Sequence, residues 1–190
     1  MKLHHGVLAS VCLLAFAAGC ARFGWMERET PIERPALAAW AKGAQLFEGL
    51  GTHHREVDAS SRNAQAYFDQ GLRLLYGFNH DEAARSFAKG GEFDPECAMC
   101  WWGAALVLGP NYNMPMMPDR FQAAWDAMEL ARKHSAGSPP VERALIEALG
   151  KRFKGPEPLD PSSMQPLSEA YAAAMRDVAK RFPDDLDVQT

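Results

Sequence analysis

The sequence is poor in cysteine, with four in 190 residues. It has no alternating run of Val, Ile and Thr of the kind that builds sheet. Neither sign of charge dominates: the formal net charge is −4, which argues against nucleic acid as a partner. Beyond the first 20 residues no apolar stretch is long enough to cross a membrane. No Ser/His/Asp arrangement, phosphate-cradling glycine loop or paired-acid signature is present, so the sequence gives no sign of an enzyme. The H-x-x-x-H spacing of metal sites is missing, and no second C-x-x-C completes a zinc site. What remains is an Ala-rich chain. Without its first residues it is about 170 residues long, enough for one all-helical domain.

Residues 1–20 read MKLHHGVLASVCLLAFAAGC. Lys2 supplies a positive start, and the apolar run Gly6 to Gly19 is too short to span a bilayer. Residues 1–19 therefore read as a signal peptide, which takes Cys12 with it. Ala17-Ala18-Gly19-Cys20 resembles a bacterial lipobox, although Ala17 stands where that motif prefers Leu. The resemblance implies that Cys20 is lipidated and becomes the new N-terminus; the alternative is an ordinary secretory signal with Cys20 a bystander. Ala21, rather than Asp, resembles the sorting pattern of outer-membrane lipoproteins and implies a location on the periplasmic side of that membrane. Residues 20–35, polar with two prolines, read as a tether.

The stretch Ala64 to Trp102 carries the strongest pattern. Tyr67, Gly71, Leu74, Leu75 and Phe78 fall on one face of a helix. Ser60 and Ser61 are placed to cap it. Asn79 with Glu82 marks a second helix, whose buried stripe is Ala83, Ala84, Phe87 and Ala88. Gly71 and Ala83 are small where two helices must cross closely, and Pro95 ends the unit. Trp101 follows Tyr67 by 34 residues. This order of large, small and breaker residues resembles the tetratricopeptide repeat, a 34-residue helix–turn–helix unit. Gln70 and Leu74 stand where that family has Leu and Tyr. Gly90 replaces its usual Ala and weakens the second helix. The resemblance implies an all-α, right-handed solenoid of antiparallel helix pairs with about three repeats. Such a solenoid mediates protein or peptide binding in a concave groove.

Residues 36–63 precede the repeats as a short helix around Trp40, a turn at Gly49 and Gly51, and an extended run from Thr52 to Ser61. The repeats cover 64–97, 98–138 and 139–183. In the second, Trp101, Ala104, Ala105 and Leu108 renew the first-helix pattern. Ala124, Met128 and Ala131 match Ala83, Phe87 and Gly90 at an offset of 41. The extra residues fall in a loop at 109–118, GPNYNMPMMP, where three prolines forbid regular helix. The third unit has one helix over Val141, Leu145 and Leu149 and another burying Leu167, Tyr171, Met175 and Val178. Residues 184–190, with acids before Leu186, read as the start of a further helix. That start implies a chain continuing into at least one more repeat. The alternative is a terminal face covered by a partner or by the Ala36–Phe47 segment.

Three constellations are candidate sites. The turn holding Asn79 and the loop holding Asn111, Tyr112, Asn113 and Met114 are expected side by side as a ligand loop. His53, His54 and His80, brought together by the extended run, would suit copper or zinc, with Met thioethers favouring Cu(I). The alternative is histidines that bond turn backbone and methionines that fill a surface groove. Cys97 and Cys100 form a C-x-x-C at a helix start, open to a redox or metal role, a local disulfide, or two small buried residues. Haem attachment is not indicated, because Trp101 stands where His is required. The expected function is a lipid-anchored periplasmic scaffold for another protein or peptide, without a cofactor. The rival is a metal-binding or redox accessory protein.

Overall fold

The computed structural model describes residues 36–111, 115–157 and 159–190. The expected signal peptide, Cys20 and the expected tether lie outside these residues, as do Tyr112, Asn113 and Met114. The described chain is all-α, without a strand. Its helices are α1 (Leu37–Trp40), α2 (Arg62–Tyr76), α3 (His80–Phe93), α4 (Ala98–Leu108), α5 (Phe121–His134), α6 (Pro140–Leu149), α7 (Pro161–Arg181) and α8 (Leu186–Gln189). No helix among the described residues is long and apolar enough to cross a membrane. Consecutive helices pack on one another from α2 to α8, and α4 also touches α2 and α6.

Local chemistry sets the helix ends. The Ser61 hydroxyl accepts from the Ala64 amide, and Asn79 Oδ1 accepts from the Glu82 amide. Asp160 and Asp185 cap α7 and α8 in the same way. These bonds satisfy amide donors that the first helical turn leaves without partners. The acidic residue at the expected further helix start is therefore a true cap.

α4 is the hub. Its sequence AMCWWGAALVL is apolar on every side, and all of it except Leu106 is buried. A helix apolar all round has to lie inside a core. The expected register is visible in the burial: Ala83, Phe87 and Gly90 of α3 and Ala124, Met128 and Ala131 of α5 are all buried. Trp102 crosses to α6, where its Nε1 donates to the Leu145 carbonyl at 3.2 Å.

Helices pack closely around Phe87, which is fully buried. A Cβ at Gly71 of α2 would stand 2.7 Å from its ring, and one at Gly103 of α4 would stand 2.4 Å away. Gly71 does sit at a close helix crossing, as expected from its small size, and Gly103 approaches the same ring from α4. Gly90 likewise leaves room for Cys100, since a Cβ there would lie 3.0 Å from its Sγ. Its helix-weakening character is thus tied to the cysteine pair.

Two expectations need correction. Phe78 is not part of the buried face of α2. The helix stops at Tyr76, and Phe78 has φ 58° and is 76% exposed. The Asn79 amide bonds Leu74 O, and the Phe78 amide bonds Leu75 O. This is a Schellman ending, in which the left-handed position is usually glycine. Of the expected face, Gly71 and Leu74 are buried and Tyr67 and Leu75 half-buried, and Ala64, Phe68 and Leu72 are buried with them. Phe78→Gly is expected to raise stability by about 1 kcal/mol, because a left-handed non-glycine backbone costs about that much. Urea denaturation checks this, and a lower midpoint for the variant would contradict it. Second, the Ala36–Phe47 segment does not cover the last helix. Trp40 receives the Arg120 guanidinium on its ring at 5.3 Å, and α1 packs on α3 and α5. On α7, Val178 is buried as expected, whereas Leu167, Tyr171 and Met175 are only half-buried.

Candidate functional site

The extended run after Gly51 does more than join two helices. It lies along α2 and is held by polar side chains spaced four residues apart: Gln65, Asp69 and Arg73. That spacing puts all three on one helix face. Arg73 Nε donates to the His53 carbonyl at 2.7 Å. Asp69 Oδ1 accepts from the Arg55 amide at 3.2 Å, and Gln65 Nε2 donates to the Arg55 carbonyl at 2.8 Å. Gln65 Oε1 accepts from the Val57 amide at 3.1 Å. Every second residue, 53, 55 and 57, is thus held by its backbone, as one edge of a β-strand would be. Asp69 is itself buried and also faces His54 Nδ1 at 2.7 Å.

The strand's other edge meets α6. There the Asp58 amide donates to Glu142 Oε1 at 3.0 Å. Val57 between them is buried in the core. Asp94 closes this end by accepting from both the amide and the hydroxyl of Ser60, at 2.6 and 2.8 Å. At the other end Gln70 accepts from the Phe47 amide at 2.7 Å and donates to the Gln45 carbonyl at 2.8 Å. Gln70 is itself buried and spends its side chain on these bonds.

The extended run also carries Arg55, whose side chain is nine-tenths buried. Its guanidinium binds Asp185 with two bonds, at 2.7 and 2.9 Å, and reaches Asp187 at 3.1 Å. Asp187 also accepts from the Tyr76 phenol at 2.8 Å and lies 2.9 Å from His53 Nε2. The hydrogen bond from Arg55 holds the Asp185 carboxyl below its usual range despite partial burial. Burial, followed by the bond to Asp187, pushes the Tyr76 phenol upward. A fork of two acids at the start of α8 therefore grips one cation on the strand.

Glu142 has the opposite electrostatics. It is 2% exposed, its Oε2 has no partner, and burial raises its carboxyl above the ordinary value. A raised folded value means that its contribution to stability is complete below the ordinary carboxyl range and is lost as pH rises. Glu142→Gln is thus expected to melt higher than the native chain at pH 7.5 and about equally at pH 4. An equal difference at both pH values would sink this reading.

The expected sites fall as follows. His53 and His54 each pair with a different carboxylate, while the His80 ring packs edge-on against Phe78 at 6.4 Å between centroids. Among the described residues, no group of three or more His, Cys, Asp or Glu is placed to hold a metal. The cluster of His53, His54 and His80 does not assemble, because Asp187 and Asp69 hold the first two along the strand. Cys97 and Cys100 are joined as a buried disulfide, and Cys97 Sγ accepts from the Cys100 amide at the start of α4. Asn79 is occupied as the cap of α3. Next to that cap, Asp81 of α3 pairs with Arg120 at the start of α5, Oδ1 to Nη2 at 2.8 Å. Asn111, in the inserted loop, is half-buried and has an interaction partner.

Sequence reasoning passed over Gln65, Asp69, Arg73, Arg55 and Glu142, and read Asp185 only as a helix-start charge. The four-residue spacing of Gln65, Asp69 and Arg73 was the one signal available. Comparison with known proteins gives no matching family, no matching curated protein and no matching solved structure.

Proposed function

We propose that this chain is a tetratricopeptide-like solenoid of about three helix pairs that binds an extended segment of another protein. In this reading it is a scaffold, exported and held by a lipid on Cys20 at the periplasmic side of the outer membrane. One observation supports the binding role above the rest: the α2 face already grips an extended polypeptide through its backbone. Side-chain amides and carboxylates that bond main chain accept many sequences. A few pockets then supply the selectivity.

The test is selection of peptides from a random display library, on the native chain and on an Arg55→Ala chain in which the strand is loosened. Peptides that bind one to one and cross-link to α2, α4 or α6 support the reading. Failure of selection on both chains overturns it. So would stoichiometric copper or zinc in protein purified without a His tag, lost on changing His53, His54 and His80. The anchor is tested separately. Radioactive fatty acid should label the native protein and not Cys20→Ala; label in the variant, or none in the wild type, removes the lipid from the proposal.

A further inference from the structure

We infer that residues 52–58 are an internal occupant of the peptide groove, exchangeable for an external strand that carries a basic residue and, two positions on, a small apolar one. This rests on the reading of the α2 face as a peptide groove, and it specifies both the ligand and its control.

The segment's bonds divide into two kinds. Those to Gln65, Asp69 and Arg73, apart from the His54–Asp69 pair, use main chain, so any extended peptide could make them. Those made by its side chains at the centre are specific: Arg55 in the Asp185–Asp187 fork, and Val57 in the core. A competing strand must match these two, and a cation is what a pair of carboxylates selects. Glu142 adds a third carboxylate beside the groove, bonded to the Asp58 amide. An acid in place of the arginine, facing the Asp185–Asp187 fork, would therefore be refused.

The segment is also built to be released. Thr52, His53, His54, Glu56 and Asp58 are exposed. On its N-terminal side the chain turns through Gly49 and Gly51, both at φ 81°, and a Cβ at either would meet nothing within 4 Å. Little besides the segment's own anchors holds it down. A tethered ligand competes at high effective concentration, typically millimolar for short linkers. The native chain therefore binds an outside peptide weakly, and binding strengthens by the factor by which the tethered strand is loosened.

The experiment uses a fluorescent nine-residue peptide with the sequence of residues 52–60, THHREVDAS, and anisotropy titration of the full chain. The Arg55→Ala chain is expected to bind it at least tenfold more tightly than the native chain does. The same peptide with Glu in place of its Arg should bind neither. Far-UV circular dichroism verifies folding; if Arg55→Ala is not folded, Val57→Ala takes its place, with the same result expected. Equal affinity for native and loosened chains, binding to neither, or equal binding of the Glu peptide overturns the inference. If library-selected peptides nevertheless bind the native chain and cross-link to its helices, the scaffold reading stands and only the exchange fails.

Discussion

Gly103→Ala is expected to destabilise the fold by about 2–3 kcal/mol, although it adds a single methyl group. The new Cβ would lie 2.4 Å from the Phe87 ring, well inside van der Waals contact. The ring has little freedom to withdraw. It is fully buried, Phe68 packs on it with centroids 5.5 Å apart, and Gly71 approaches it from α2. Gly71→Leu should overpack the same slot. A smaller side chain at 87 should recover part of the loss, so Gly103→Ala with Phe87→Leu should cost less than the sum of the two changes. Gly137→Ala is the control, because a Cβ there meets nothing within 4 Å. Urea denaturation provides the measurement, with the slope checked for constancy. A Gly103→Ala midpoint equal to that of Gly137→Ala would show that the helices do not cross at Phe87.

Arg55→Ala is expected to cost about 2–3 kcal/mol, below the range for fully buried pairs because the acids retain some exposure. The change leaves Asp185 and Asp187 side by side without their cation, at 19% and 18% side-chain exposure. The effect should depend on pH in a definite direction. The Asp185 carboxyl is held low by Arg55, so its contribution is present above the ordinary carboxyl value and disappears as pH falls through the lower, folded one. The gap in melting temperature between native and variant chains should be full at pH 7 and narrow below about pH 4. An undiminished gap at pH 3 would mean that Arg55 stabilises by packing rather than by charge.

The helices were legible because each is written in local periodicity. The stripe of Ala83, Ala84 and Phe87 and its renewal at Ala124 and Met128 placed α3 and α5 in register, and the proline-rich loop between α4 and α5 was evident from composition. The strand's partners were not legible. Gln65, Asp69 and Arg73 bond main chain, which leaves no mark on the strand's own sequence. Arg55 and Asp185 are 130 residues apart, so neither announces the other. The three histidines looked like a group because two are adjacent and the linker was long enough to reach the third. Asp187 and Asp69, which the sequence did not single out, pair with the first two. Phe78 was misplaced by a regular period continued two residues past the true helix end.

The link from Arg55 to Asp185 also orders events in time. Contacts between neighbouring helices close short loops, whereas this one spans most of the described chain, and long-range closure is the slow part of folding. During synthesis the segment at 52–58 leaves the ribosome first, and the acid that grips its arginine follows 130 residues later. In that interval α2, α3 and α4 can pack and the Gln65–Asp69–Arg73 ladder can form, while the strand is held by main-chain bonds alone. The nascent protein thus passes through a period in which the groove is built but only loosely closed. A partner present at that moment would meet less competition than one that arrives afterwards.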